Sequence, residues 1–322
     1  MDSVVSEKDL QRLQRAGYAF IGDHKHSAVK TCTWTRNSLV GKGVCYKQAF
    51  YGISSHRCLQ MTPSLSFCTH SCLFCWRDTR ITFPEWRGGV DEPAQIIDEC
   101  LAAQRKLLVG YKGNENADQK KVCEVFQPNQ AAISLAGEPT LYPFLGDLVK
   151  EFRKRGFTTF LVTNGTNPAA LERLADEKAL PTQLYVSLCA PDEATYKKVN
   201  APLIKDGWTR LNETLELFAS LKTRRVVRLT LCRGLNLKDA VGYARLIEKT
   251  GAEFVEPKSY MAVGFSRARL GVDFMPRHEE IMSFARELAV ESGYVLAGEQ
   301  RASRVALLCR DADAERNRLI KR

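Results

Sequence analysis

The sequence of 322 residues lacks the features that direct a chain into or across a membrane. It contains no run of about 18 apolar residues, the length that a transmembrane helix requires. Its amino-terminal segment has neither a basic start nor the apolar core of a secretory signal peptide. Internal repeats and low-complexity segments are also missing. We therefore expect a globular cytoplasmic protein that does not associate with membranes.

Acidic residues are the scarcer charged class, with 37 Asp and Glu against 47 Lys and Arg. The resulting net charge of +10 suits a polyanionic partner, because neutralising phosphates releases bound counterions. A solvated basic surface that only aids solubility explains the same excess equally well. Charge alone therefore permits nucleic-acid binding without requiring it.

Short apolar strands alternate with helical stretches from about residue 63 onward, which indicates parallel βαβ units. The strands are expected at 63–67, 131–136, 157–163, 183–189, 226–232 and 252–258. Helices are expected at 7–17 and near 93–109, 142–155, 168–178, 209–221, 238–250 and 277–291. Such a pattern predicts an α/β fold, a partial (β/α)6 TIM-type barrel, with a doubly wound open sheet as the alternative.

Two regions are predicted along the chain. Residues 1–62 hold an amino-terminal helix and an irregular segment that contains cysteines, because residues 18–62 show no sustained hydrophobic period. Residues 63–322 form the barrel and a carboxy-terminal extension. The polar stretch 110–121 is expected to be a mobile loop.

Eleven cysteines are too many for a cytoplasmic chain unless some of them bind metal or act in catalysis. Six of them fall between positions 32 and 75. The other five stand singly in apolar or mixed segments and are interpreted as small buried hydrophobes; they are Cys100, Cys123, Cys189, Cys232 and Cys309.

The cysteines between 68 and 75 have the spacing C-x3-C-x2-C, with no fourth cysteine nearby. Three thiolates on one loop can hold three corners of a 4Fe–4S cluster and leave the fourth iron open to a ligand. Structural zinc needs four ligands, and the imidazole of His70 lies inside the loop, where simultaneous ligation is awkward. The ligands of this site are Cys68, Cys72 and Cys75.

A second triad has the spacing C-x12-C-x12-C, which is not that of a zinc finger. Alone it would be weak, because three cysteines in an irregular segment can be accidental. Next to the first triad, a second open-iron 4Fe–4S cluster becomes the favoured interpretation. Its ligands are Cys32, Cys45 and Cys58.

Several motifs together resemble the radical S-adenosylmethionine superfamily and, within it, the archaeal tRNA 4-demethylwyosine synthases, over nearly the whole chain. They are CTHSCLFCWR at 68–77, SLAGEPT at 134–140, LVTNG at 161–165, SL and AP within 187–191, RLTL before GLN at 228–236, and EPKSYM before GFS at 256–266.

The resemblance implies a lyase-type enzyme that condenses N1-methylguanosine beside the anticodon of tRNA-Phe with pyruvate to form 4-demethylwyosine. Two 4Fe–4S clusters and S-adenosylmethionine are the implied cofactors. The chain has no room for the flavodoxin-like domain that some relatives carry, so an external one-electron reductant is expected. We expect a monomer.

A lysine beside the second triad is the expected catalytic residue, because its amine can form a Schiff base with a keto acid. From the residues alone, Lys42 and Lys47 are equally good candidates. The family's Schiff-base lysine lies two residues after the middle cysteine, and this position selects Lys47.

Residues that follow the strands are expected to bind S-adenosylmethionine. The resemblance implies that Gly137, Glu138 and Pro139 cradle its methionine amino end, although Ala136 replaces the first of the superfamily's usual two glycines. Asn164 and Ser187 are expected to contact its carboxylate or ribose; capping of the following helices is the simpler alternative.

Two other functions compete with this one. A different radical S-adenosylmethionine enzyme with an auxiliary cluster would act on another RNA or on a small molecule. A non-catalytic RNA-binding protein would hold zinc at the cysteines.

Overall fold

Ten strands form one continuous sheet in the computed structural model, which describes residues 4–320. The six central strands, β3 to β8, run parallel and neighbour one another in chain order. The strands are β1 Ala19–Ile21, β2 Ser27–Val29, β3 Cys58–Thr62, β4 Gln130–Ile133, β5 Thr158–Thr163, β6 Gln183–Ser187, β7 Arg224–Leu231, β8 Phe254–Ser259, β9 Val295–Gln300 and β10 Val305–Cys309. Antiparallel pairs extend both edges, β1 and β2 beside β3, and β10 and β9 beside β8.

Twelve α-helices are found within residues 4–320, and most of them connect the parallel strands. They are α1 Glu7–Arg15, α2 Thr33–Leu39, α3 Tyr46–Tyr51, α4 Pro93–Leu108, α5 Gln119–Val125, α6 Leu145–Lys154, α7 Pro168–Asp176, α8 Glu193–Asn200, α9 Gly207–Phe218, α10 Ala240–Glu248, α11 His278–Ser292 and α12 Ala312–Arg316. Within this part of the chain, no helix is both long and apolar enough to cross a membrane.

The prediction of a partial (β/α)6 TIM-type barrel is confirmed, because six parallel strands follow one another with helical crossovers. A doubly wound sheet would require the strand order to reverse near its middle, and the order of β3 to β8 does not reverse.

The two faces of the sheet bury different kinds of side chain, because successive residues of a strand point to opposite faces. On the outer face, residues such as Leu184 and Val227 pack in one core with the crossover helices. On the inner face, Tyr185, Val226 and Phe254 pack against α3 instead. Helix α3 therefore occupies the concave side of the barrel and brings its neighbouring residues into the interior.

The amino-terminal region differs from its prediction in two ways. Residues 18–62, expected to be irregular, contain β1, β2, β3 and two helices; strands of three residues show no detectable period in sequence. The first barrel strand spans Cys58–Thr62, and not 63–67, where Phe67 forms only one isolated bridge with Phe83. The division at residue 62 stays a prediction.

The polar stretch 110–121 is more ordered than predicted. It contains a 3-10 turn at Val109–Gly113 and the start of α5. Val122 and Val125 of α5 are buried against Leu39 and Leu108, and this small apolar core orders the segment.

Candidate active site

The first cysteine triad lies on the loop after β3, at the edge where the parallel strands have their carboxyl ends. Cys68 is buried, and Cys72 and Cys75 are half-buried. Burial raises the pKa of Cys72 well above its ordinary value, and the neighbouring Cys75 and Cys68 thiols raise it further. The three sulfurs therefore share one enclosed region, where a positive group is needed if they ionise.

Arg77 supplies such a group. Its side chain is only 3% exposed, and it donates from Nη2 to the carbonyl oxygen of His70 at 2.7 Å. It forms no ion pair with a carboxylate in residues 4–320. Burial acts to lower the pKa of Arg77, but the thiols of Cys68 and Cys75 raise it overall. A buried guanidinium beside three thiols fits a site that holds thiolates bound to an iron–sulfur cluster.

A second segment, residues 199–203, holds the cysteine loop in place. Three backbone hydrogen bonds of 2.8–3.0 Å join residues 69–73 to this segment. His70 adds a side-chain hydrogen bond between Nε2 and the hydroxyl of Tyr196 at 2.6 Å. The segment begins at the end of α8, a helix that the sequence analysis did not predict.

Gly137 brings the turn after β4 against the cysteine loop. Its φ of +71° lies in the left-handed region, and a Cβ atom there would lie 1.7 Å from the carbonyl oxygen of Ser64. The backbone N–H of Glu138 donates to the carbonyl oxygen of Phe67 at 2.7 Å, and Pro139 follows in a 3-10 turn. Only glycine permits this close approach.

The carboxylate of Glu138 is 1% exposed and is held by protein donors. Its Oε1 accepts from the hydroxyls of Thr140 and Thr163, each at 2.7 Å, and its Oε2 accepts from the backbone N–H of Asn164 at 2.7 Å. Burial raises the pKa of Glu138, and these donors oppose the rise. Its predicted contact with an ammonium group stays a prediction, since both oxygens already have protein partners.

The side chain of Asn164 reaches the first triad. Its Nδ2 donates to the hydroxyl of Thr69 at 2.8 Å and lies 3.8 Å from the Sγ of Cys68. Ser187 ends β6, two residues after Tyr185, and so faces the barrel interior. Both residues lie at the predicted rim; their contacts with S-adenosylmethionine stay predictions.

The second triad is assembled from three elements. Cys32 precedes α2, Cys45 precedes α3, and Cys58 begins β3. Burial raises the pKa of Cys45 and of Cys58 to about 12, and the neighbouring Cys32 adds to both rises. The ammonium of Lys47 opposes both rises, so a cation is already placed beside these sulfurs.

Neither triad is arranged around a single ion. Within residues 4–320, no three His, Cys, Asp or Glu side chains converge closely enough to hold one metal ion. The thiols of each triad nevertheless act on one another electrostatically. A multi-iron cluster needs ligands spread over a larger volume than a zinc ion does.

Lys47 lies inside the barrel with 9% of its surface exposed. Its Nζ is 4.4 Å from the ring centre of Tyr185 and 4.9 Å from that of Phe160. Burial lowers its pKa; Glu256 opposes this and Arg228 reinforces it. Lys42, the other candidate, is exposed. Of the two lysines, Lys47 therefore has the desolvated surroundings that favour a neutral, nucleophilic amine.

Charged residues of β7 and β8 that the sequence analysis did not single out also face this interior. Arg228 is the register partner of Ser187 on one side and of Glu256 on the other, so the three form one row across adjacent strands. Lys258 lies two residues beyond Glu256, and burial lowers its pKa to about 8. These residues could have been found in the sequence, because they are charged residues at alternate positions of an apolar strand, as in E-P-K at 256–258.

Two family models match the chain. The Radical SAM superfamily model covers residues 62–247, and a model described as wyosine base formation covers residues 249–310. Together they span the parallel strands from β4 to β8 and the carboxy-terminal strands β9 and β10, whereas β3 lies before them except for its last residue.

The chain is also similar to individual proteins along most of its length. It is 54% identical over 296 residues to the S-adenosyl-L-methionine-dependent tRNA 4-demethylwyosine synthase of Pyrococcus horikoshii, which covers 91% of this chain and 86% of the relative. The Methanocaldococcus jannaschii protein of the same name is 38% identical over 315 residues, 95% and 96% of the two chains. The solved structure of TYW1 with a lysine–pyruvate adduct bound superposes with a TM-score of 0.85 at 38% identity, covering 98% of each chain.

Proposed function

Because this chain belongs to the family of S-adenosyl-L-methionine-dependent tRNA 4-demethylwyosine synthases, radical S-adenosylmethionine enzymes, we propose that it condenses N1-methylguanosine in tRNA-Phe with pyruvate to form 4-demethylwyosine. The observation that carries this proposal is Lys47, a buried lysine placed beside the thiols of Cys45 and Cys58 and two aromatic rings inside the barrel.

Family membership implies S-adenosylmethionine and one 4Fe–4S cluster, and we assign that cluster to Cys68, Cys72 and Cys75. When bound, it supplies the electron that cleaves S-adenosylmethionine and so starts radical chemistry. The chain's own part is to compensate the charge of the thiolates with Arg77 and to fix their loop through residues 199–203. Gly137, Glu138 and Pro139 are proposed to hold the methionine amino end, and Asn164 and Ser187 the carboxylate or ribose.

The second cluster is proposed at Cys32, Cys45 and Cys58. The support is chemical: the three thiols act on one another electrostatically, and Lys47 lies beside Cys45 and Cys58. Glu256 acts on Lys47 electrostatically, but Lys47 forms no ion pair within residues 4–320. Thiolate ligands would provide the missing negative charge. At this position the cluster would orient the pyruvate that Lys47 holds.

Lys47 is proposed to attack the carbonyl carbon of pyruvate as the neutral amine. An imine then joins Nζ to that carbon, and the carbonyl oxygen leaves as water. The lowered pKa of Lys47 increases the neutral fraction at a given pH, and the rings of Tyr185 and Phe160 keep water away from the bond.

The target nucleotide stands in a single-stranded loop, where an enzyme need only splay the base out to reach it. After hydrogen abstraction from its N-methyl group, the methyl carbon joins the carbonyl carbon of pyruvate. The bond from that carbon to the carboxyl carbon then breaks, and the carboxyl carbon leaves with the unpaired electron. The guanine amino nitrogen displaces Nζ of Lys47 from the same carbon, which closes the third ring and releases the lysine amine. We further propose that the protein works as a monomer in the cytoplasm and draws its electrons from an external one-electron reductant.

An anaerobic assay tests the reaction. The reconstituted protein is incubated with tRNA containing N1-methylguanosine, pyruvate, S-adenosylmethionine and dithionite, and the nucleosides are analysed. We expect 4-demethylwyosine in the full mixture and none when pyruvate is omitted. Cleavage of S-adenosylmethionine without a modified nucleoside would show that the chain acts on another substrate.

Metal content tests the two clusters separately. Reconstitution should bind about eight irons per chain, and replacing Cys32 and Cys45 with alanine should leave about four. Stoichiometric zinc without brown colour would reject both clusters and favour a zinc-binding protein.

A further inference from the structure

The barrel interior contains more cations than carboxylates; of these cations, Lys47 is buried and the others are half-buried. Three cations interact electrostatically with one another or with the second triad; they are Lys47, Arg228 and Lys258. Glu256 is the carboxylate that faces them. Burying uncompensated charge is costly, so such a site favours an anionic ligand.

Most of these groups already have a partner. Lys258 donates from Nζ to the carbonyl oxygen of Ser303 at 2.8 Å. Glu256 is fully buried and accepts at Oε1 from the hydroxyl of Tyr51 at 2.7 Å. These contacts fix Lys258 and Glu256 as part of the barrel wall.

Arg228 is different, because one of its buried donors has no protein partner within residues 4–320. Its buried Nε has no hydrogen-bond partner, and the guanidinium forms no ion pair within the described residues 4–320. The hydroxyl of Tyr46 lies beside the guanidinium and acts on it electrostatically. A planar guanidinium without a carboxylate partner is suited to a carboxylate ligand, which it can bind through two parallel hydrogen bonds.

Arg228 also faces the same ring as the proposed nucleophile. Its Cζ lies 5.9 Å from the ring centre of Tyr185, and the Nζ of Lys47 lies 4.4 Å from that centre. Arg228 also acts electrostatically on Lys47. A small molecule attached to Lys47 would therefore lie between the two side chains.

We propose that Arg228 binds the carboxylate of the 2-oxo acid whose carbonyl carbon condenses with Lys47, and that it makes the site specific for 2-oxo acids over uncharged ketones. This inference rests on the proposed function, because it requires the imine at Lys47. Arg228 holds the carboxylate while Lys47 holds the adjacent carbon, so the acid is fixed at two points. Glu256, next to Arg228 in the row, disfavours a second negative charge and so limits the site to a small monoacid.

Borohydride trapping tests the inference on the reconstituted enzyme. Hydride reduces the imine between Lys47 and the keto compound to a stable secondary amine, which peptide mass spectrometry quantifies. Pyruvate is compared with methyl pyruvate, its uncharged ester. In the parent protein we expect half-maximal trapping at a much lower concentration for pyruvate than for the ester.

The decisive variant is Arg228→Met. It should raise the pyruvate concentration needed for half-maximal trapping by about 10- to 100-fold, because a hydrogen bond to a charged group contributes about 1.5–3 kcal/mol. Trapping of methyl pyruvate should fall much less, because the ester has no carboxylate that loses a partner. Arg228→Lys keeps the positive charge but loses the paired donors of the guanidinium, so it should retain only part of the preference for pyruvate over the ester.

Arg225→Met is the matched control, since Arg225 lies on the same strand and pairs with Glu253 at 2.5 Å away from the interior. Arg225→Met should need the same concentrations of pyruvate and of methyl pyruvate for half-maximal trapping as the parent protein. Iron content and thermal unfolding are measured for each variant to verify folding.

Three results would reject the role of Arg228. They are an unchanged concentration dependence for pyruvate in Arg228→Met, an equal loss for pyruvate and its ester, and equal trapping of the two compounds by the parent protein. The last needs no variant, so the inference stays testable if Arg228→Met does not fold. Absence of any adduct in the parent would reject the proposed function as well.

Discussion

The side-chain amide of Asn200 lies 3.9 Å from the Sγ of Cys72, although 128 positions separate the two residues in sequence. Asn200 is the last residue of α8 and is 3% exposed. The next residue, Ala201, has a φ of +43°, a left-handed conformation that is costly for a residue with a Cβ atom. Strained backbone next to a functional loop is maintained only by its surroundings, here the pairing with residues 69–73.

Replacing Asn200 should alter the electronic properties of the first cluster. An N–H donor beside a ligand sulfur stabilises the reduced, more negative state. In Asn200→Leu, loss of a bond worth about 1 kcal/mol should lower the reduction potential by about 40 mV, since a tenfold change for one electron is about 59 mV. A redox titration followed by electron paramagnetic resonance measures it. Asn212→Leu on the neighbouring α9 is the control, and an unchanged potential in Asn200→Leu would contradict the assignment.

Arg77 should be required for the first cluster to bind. Arg77→Gln keeps a polar side chain with N–H donors but removes the positive charge beside three thiols. We expect about four irons per chain after reconstitution instead of about eight, because the second triad is unaffected. Arg80→Gln is the control, since Arg80 is exposed and pairs with Asp78. Full iron content in Arg77→Gln would show that the charge is dispensable.

The central barrel could be predicted from sequence because its signals are local. The strand 157–163 and the helix 93–109 differ from the observed elements by one residue, since each is a sustained apolar pattern between clear ends. Helix α8 was missed because its eight residues carry few apolar side chains, and β9 was missed because it is a half-exposed edge strand.

Spacing and resemblance predict the cysteines and Lys47 as site residues, and these assignments stay predictions. The residues that surround them could not be predicted. The roles of Arg77 and Asn200 depend on which distant segment pairs with the cysteine loop, and neither spacing nor composition specifies that pairing. Arg228 and Glu256 belong to a row that exists only when three strands are in register.

Gly137 should tolerate no side chain. Gly137→Ala would place a Cβ against the carbonyl oxygen of Ser64 and force a left-handed φ, so the cysteine loop must move. We expect at least about 1–2 kcal/mol of lost stability from the φ alone, together with reduced iron binding. Urea unfolding of the protein measures the first effect. Gly271→Ala, where nothing lies within 4 Å of the added Cβ and φ is not left-handed, should change neither.

The Glu280 carboxylate should make stability depend on pH in the acid range. Arg233 and the backbone N–H of Arg277 lower its pKa from 4.5 to about 2. A lowered native pKa stabilises the fold above the unfolded value, so this contribution is lost as pH falls from about 5 to about 2. Glu280→Gln should cost less than about 1 kcal/mol at pH 7, because the pair is partly exposed. Urea unfolding at pH 7 and at about pH 2 should show that the stability difference between Glu280→Gln and the parent protein disappears in acid. Glu291→Gln on the same helix should not differ from the parent protein at either pH.

Tyr51 should stabilise the barrel through Glu256. Its fully buried hydroxyl donates to Oε1 of Glu256, whose Oε2 has no partner in residues 4–320. Tyr51→Phe leaves that buried carboxylate without its donor, which should reduce the free energy of unfolding by about 1–3 kcal/mol. Tyr51→Phe combined with Glu256→Gln should cost less than the sum of the two single changes, because the pair acts as a unit. Additive effects in urea unfolding would mean that the two groups stabilise the barrel independently.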